Sequence, residues 1–194
     1  MKRVVRYLVG LPRLVYQFDY QDDPKEAHVY TDTDFAGCKT TKRSTSGGVI
    51  MMGKHTIRHW SKTQSTIALS SGEAELSGIG TGIAEALGFQ SLARDMGFDV
   101  KPVVFSDAMA AIGIARRRGL GKVRHLDVTD LWIQEKVRSH AVDLRKVPGR
   151  DNPADILTEY VERSILEIAL KFLNLVKLDG RAASAPKAMG VDQQ

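Results

Sequence analysis

The chain sets acids where a folded protein usually sets core. In HVYTDTDFAG (28–37) an apolar run leads into Asp32 and Asp34, two residues apart. On a strand, such a pair projects from one face. A strand with charge in place of core is either an edge or a site. Three later stretches also place carboxylates beside apolar residues: SSGEAELSGI (70–79), VVFSDAMAAI (103–112) and DNPADILTEY (151–160). Carboxylates brought from these four stretches to one point would form a hard, all-oxygen ligand set for a divalent metal.

Each stretch leaves a choice open. Alternation alone does not separate Asp32 from Asp34. Glu73 and Glu75 flank the apolar stripe of one helix about equally, and the helix dipole favours either as a plain first-turn acid. Asp107 follows a buried strand, where an N-cap aspartate is common. Asp155 sits in the first turn of an expected helix, with Asp151 as its rival.

The elements that must position these acids are legible from hydrophobic pattern and turn chemistry. Strands are expected over 28–35, 47–53 and 56–61, the last two joined by a short turn at Gly53-Lys54-His55, giving an antiparallel meander. Ser70 or Ser71 caps a long helix with Leu76, Ile79, Ile83 and Leu87 on one stripe, ending near Gly97. Gly78, Gly80 and Gly82 disfavour that helix and suggest close approach to a strand. A strand at 103–105 precedes helices over 108–118 and 124–138, a strand at 142–147, and a helix opened by Asn152 and Pro153 that runs to about Tyr160. This order gives an α/β fold: a mixed five-stranded sheet, three antiparallel strands then helix-linked ones, with helices on both faces.

Composition narrows the function classes. With 194 residues, 43% hydrophobic and 26% charged, the chain holds one ordinary domain with appendages. The formal net charge of +5 suits a nucleic-acid partner better than an acidic one. Cys38 is the single cysteine, which excludes an internal disulfide framework or a cysteine-based zinc site and fits an intracellular setting, cytoplasm or nucleus. No secretory leader and no membrane-length apolar stretch is expected. Residues 1–26 read as a connection segment, 27–161 as the domain, 162–178 as an amphipathic C-terminal helix that needs a partner surface, and 179–194 as a disordered tail.

Taken in order, YTDTDFAG, KRSTSGG, WSKTQSTIALSSGEAEL, FSDAMAAI, RHLD and VPGRDNPADILT resemble the ribonuclease H domain of copia-type retrotransposon Pol polyproteins. The resemblance covers about residues 28–160, and the opening KRVVRYLVG resembles the segment that follows the reverse transcriptase there. It implies a ribonuclease H-like fold, and a metal-dependent endonuclease that cleaves the RNA strand of RNA–DNA hybrids. It selects Asp32, Glu75, Asp107 and Asp155 as catalytic residues and ligands of two Mg²⁺ ions, with Mn²⁺ as the substitute. It points to Arg43, Ser44, Thr45, Lys62 and His125 as substrate contacts. The implied partners are the hybrid and an upstream reverse transcriptase domain, with no small-molecule cofactor and no membrane. The chain departs from the family at Ala108, where the pattern has Asn, and at Glu159-Tyr160, where it has Lys-Pro. A catalytically idle nucleic-acid-binding or protein-interaction module on the same scaffold is the competing reading.

Overall fold

The computed structural model describes residues 9–11, 13–119, 128–180, 182 and 184. His125, residues 1–8 and 12 of the connection segment, the start of the helix read from 124, and most of the 179–194 tail lie outside the described residues.

The central sheet is built around β2 (Glu26–Asp34). It pairs antiparallel with β3 (Thr45–Met52), which pairs antiparallel with β4 (His55–Thr63). On its other side β2 runs parallel to β5 (Lys101–Ser106), which runs parallel to β6 (Asp143–Lys146). The order is β4-β3-β2-β5-β6, a mixed sheet of the kind expected from the element order. Because β2 and β5 are parallel, their C-terminal ends reach the same edge, and the acids at those ends arrive together.

Period-two alternation sorts β2 onto two cores. Val29 joins Ile50, Leu76, Ile79, Ile83, Val104, Ile112, Ile133 and Leu144 on the face covered by helices α1 (Ser71–Asp95), α2 (Met109–Arg116) and α3 (Val128–Arg138). Tyr30 joins Val49, Met51, Val147, Ala154 and Leu173 on the opposite face. Tyr30 stacks on Phe105 at 4.8 Å between centroids and meets Phe172 edge-on at 5.3 Å.

The long helix α1 is stopped cleanly at both ends. The Ser70 hydroxyl accepts the Glu73 amide at 3.2 Å. At the other end Phe98 N–H reaches Ala93 O at 2.8 Å and Gly97 N–H reaches Arg94 O at 2.9 Å, a Schellman closure around Gly97 at φ 84°. Two of its internal glycines are explained by contact with β2. A Cβ on Gly78 would strike the Thr33 hydroxyl, and one on Gly82 would strike Thr31 Cγ2, so α1 lies directly on β2. The propensity cost of about 1 kcal/mol per glycine is offset by burial of Leu76, Ile79 and Ile83, each worth about 1.5–3 kcal/mol.

Two expectations are corrected. Residues 152–160 do not form an α-helix: two short 3₁₀ turns, Gly149–Asp151 and Asp155–Leu157, take their place. Asn152 is pinned by its Nδ2 to Thr31 O at 3.1 Å, which holds the chain against the sheet, and the turns close mainly by i to i+3 bonds such as Leu157 N–H to Ala154 O at 2.9 Å. The apolar segment 162–178 is divided into helix α4 (Arg163–Phe172) and strand β7 (Leu175–Lys177). Its partner surface is the second face of the sheet, where Leu173 is buried and its carbonyl accepts the Thr56 hydroxyl at 2.9 Å. β7 pairs antiparallel with β1 (Leu14–Tyr16), tying the connection segment to the C-terminal unit. No helix among the described residues is long and apolar enough to cross a membrane.

Candidate active site

Asp32 projects from β2 near its C-terminal end, Asp107 follows β5 directly, and Glu75 lies in the first turns of α1. One carboxylate oxygen from each falls within 4.8 Å of the other two. Asp155 is carried to the same place by the second 3₁₀ turn: its charge acts on Glu75, and those of Asp32 and Asp107 act on it. Its Oδ1 is buried and without a hydrogen-bond partner.

The rival acids have other work. Asp34 Oδ1 accepts the Thr45 amide at 2.5 Å and closes the β2–β3 turn. Glu73 Oε2 accepts the Leu69 amide at 2.8 Å while its own amide donates to Ser70, a reciprocal cap. Asp151 is paired at 3.8 Å with Arg150, both well exposed. Asp107 is not the N-cap of α2, because Ala108 occupies that position and Ser106 Oγ accepts the Ala108 amide at 3.2 Å. Asp107 is thereby released from the capping duty that its position suggests.

A buried polar network, none of it among the site residues read from sequence, holds α1 against the strands. Gln64 Nε2 donates to Ser46 Oγ at 2.8 Å and to Ala74 O at 2.9 Å, and Ser46 Oγ meets Thr33 Oγ1 at 3.2 Å. It links the residue before Glu75 to the residue after Asp32. Thr158 was also missed: its hydroxyl hydrogen-bonds Asp32 Oδ2. The available signal was the placement of Gln64 and Thr158 inside the two longest motif stretches.

Burial and mutual repulsion govern the acids. Burial raises Glu75 first, and the charges of Asp32 and Asp107 add to it, bringing the carboxyl to about 8. Asp155 rises to about 7, by burial and then by Asp32 and Asp107. Asp32 is also raised by burial, while the Thr158 hydroxyl pulls it down. Such mutually repelling acids favour a counter-charge, and their all-carboxylate donors are hard oxygen ligands of the kind that suit Mg²⁺ or Mn²⁺.

A retrovirus-related Pol polyprotein from transposon TNT 1-94 of Nicotiana tabacum is 29% identical over 178 residues, 90% of this chain. Those from transposons RE1 and RE2 of Arabidopsis thaliana are 29% and 28% identical over 86% and 92% of it. The homologues of this chain are copia-type Pol polyproteins. The chain spans 13% of the length of the first polyprotein and 12% of each of the other two. No family model matches it. Among solved structures, LC11-RNase H1 from compost superposes with a TM-score of 0.48 at 18% identity, covering 69% of this chain and 93% of that one. The same enzyme in complex with RNA/DNA hybrid gives 0.49 at 17%, covering 69% and 94%.

Set beside the copia-type pattern, the remaining positions separate. Arg43 and Lys62 are exposed and free to meet a ligand. Ser44 is fully buried, and its hydroxyl accepts the Ala36 amide at 3.1 Å, so it serves the turn and does not face a substrate. Thr45 opens β3, half-buried, with its amide spent on Asp34. Glu159, at the position of the pattern's lysine, adds a further negative charge that acts on Asp32 and Asp155.

Proposed function

We propose that this chain is a ribonuclease H-type domain: a metal-dependent endonuclease that hydrolyses the RNA strand of RNA–DNA hybrids. The observation that carries the reading is the meeting of Asp32, Glu75 and Asp107 from three separate elements, with Asp155 beside them. The Pol homologues support it.

Asp32, Glu75 and Asp107 are the residues that would hold a divalent cation, with Asp155 completing the acid set. Two such ions, Mg²⁺ or Mn²⁺, would supply an activated water and charge neutralisation for in-line displacement at phosphorus. The chain's own part is positional. The Gln64 network sets Glu75 against β2. Ser106 accepts the Ala108 amide, and the Asp107 carboxylate is not used as a cap of α2. Arg43 and Lys62 provide exposed positive charge for the phosphate backbone, where contacts orient the duplex without reading sequence. An upstream reverse transcriptase domain is the partner that would present the hybrid.

Cleavage of an end-labelled hybrid with Mg²⁺ or Mn²⁺, comparing the intact chain with Asp107→Asn, tests this. The expected result is cleavage of the RNA strand only, abolished by chelation and by the substitution. Well-folded protein that binds hybrid but cuts with neither ion would favour the idle module instead.

A further inference from the structure

The turn that carries Asp155 is joined to the strand that carries Asp32 at a small number of points. Thr158 Oγ1 hydrogen-bonds Asp32 Oδ2 and lies 3.1 Å from the Asp155 carbonyl. A hydroxyl has one proton to donate, and the carboxylate is the stronger acceptor. Gly47 stands opposite Asp32 in the β2–β3 pairing. A Cβ there would lie 2.8 Å from Leu157 Cβ, 2.8 Å from Thr158 Cγ2 and 3.3 Å from the Ala154 carbonyl. The turn therefore crosses β3 at a residue with no side chain, directly beside Asp32. Asn152 fastens the near end of the turn to Thr31 O at 3.1 Å, one residue before Asp32.

We propose that Thr158 is a positioning residue. Its hydroxyl latches the 152–158 turn to Asp32, and so sets Asp32 and Asp155 relative to one another. With the latch made, Oδ2 of Asp32 is held and the carboxylate cannot rotate freely towards the other acids. The turn is held by the same bond, so Asp155 cannot swing away from the cluster. One hydroxyl thus couples acids 123 residues apart in the chain, from Asp32 to Asp155. The consequence for cation binding rests on the metal-centre reading above; the latch itself does not.

The test uses the full chain and compares wild type with Thr158→Val, which keeps the shape and loses the hydroxyl, and Thr158→Ser, which keeps the hydroxyl. Amide hydrogen exchange without metal reads the latch, and calorimetric titration with Mn²⁺ reads its consequence. In Thr158→Val the amides of residues 157–159 should exchange about tenfold faster, with those of Val29 and Ile79 unchanged. Mn²⁺ should bind about tenfold more weakly. Thr158→Ser should stay within about twofold of wild type on both readouts, since the donor is kept. Unchanged exchange in Thr158→Val would overturn the latch. So would a serine variant looser than the valine one, because packing of the methyl group at Gly47, and not the hydroxyl, would then hold the turn. A wild-type chain that binds no Mn²⁺ but shows the exchange difference would leave the latch standing and sink the metal-centre reading.

Discussion

Gly78 of α1 and the Thr33 hydroxyl of β2 are in contact with no room for a side chain between them. Gly78→Ala should therefore destabilise the protein, although alanine is the better helix former. The propensity gain is about 1 kcal/mol, whereas overpacking costs about 1–3 kcal/mol. The displaced Thr33 hydroxyl is also buried and bonded to Ser46. Gly88 lies in the same helix with nothing near its missing Cβ. Gly88→Ala should stabilise by up to about 1 kcal/mol. Denaturant midpoints of the two variants check the pair, and stabilisation by both would show that α1 does not rest on β2 as described.

Glu73 and Glu75 should separate by phenotype. Glu73→Gln weakens a helix cap, with a loss of about 0.5–2 kcal/mol in stability and retained hybrid cleavage. Glu75→Gln should lower cleavage at least about a hundredfold, as expected when several kcal/mol of transition-state charge stabilisation is removed. It should also raise the melting temperature of the metal-free protein above pH 7, by relieving repulsion with Asp32 and Asp107. Thermal melts and single-turnover cleavage distinguish the two acids.

Stability should fall with rising pH when metal is absent. Glu75 moves from 4.5 to about 8 and Asp155 from 3.8 to about 7. The folded chain then holds protons that the unfolded chain has released, so their contribution is full below the ordinary carboxylate values and is lost as pH climbs towards about 8. Glu26, lowered by His28 and then Arg145, and Asp143, lowered by Arg145, act in the opposite sense, and their contribution is lost only in acid. Melts between about pH 5 and 8.5 should slope downward, flatten in Glu75→Gln, and recover with Mg²⁺ or Mn²⁺. A slope unaffected by Glu75→Gln would remove Glu75 as its source.

Gly47→Ala should impair function more than stability. Its Cβ would press on Leu157, Thr158 and the Ala154 carbonyl, all on the turn that bears Asp155. Shifting that turn by a few tenths of an ångström leaves the buried core of Val29, Ile79 and Val104 untouched. Cleavage should drop about tenfold or more, because misplacement of ligand-bearing groups is costly even at small amplitude, with a melting temperature within a few degrees of wild type.

The strands of the central sheet and α1 were legible because they depend on local signals. Alternation in β2, the Ser70 cap, Gly97 and the glycine-punctuated turns each act within a few residues. The identity of the acids was only half legible. Spacing left Asp32 with Asp34 and Glu73 with Glu75, and the motif resemblance made the choice. The structure gives it a cause: Asp34 accepts the Thr45 amide and Glu73 the Leu69 amide, whereas Asp32 and Glu75 meet Asp107.

The region around Asp155 was misread for the opposite reason. Asn152 and Pro153 are good helix openers by local rules, but Asn152 bonds a strand carbonyl 121 residues away and the turn lies on Gly47. Tertiary contact overrode propensity there, as it did where β7 paired with β1 across the length of the chain. The sequence by itself determined the five strands of the central sheet and α1, and that acids stand at the C-terminal ends of β2 and β5 and open α1. Only the tertiary structure decided which oxygens meet, because the distance between Asp32 and Asp155 is set by the Thr158 hydroxyl and the missing side chain of Gly47, contacts that no local pattern encodes.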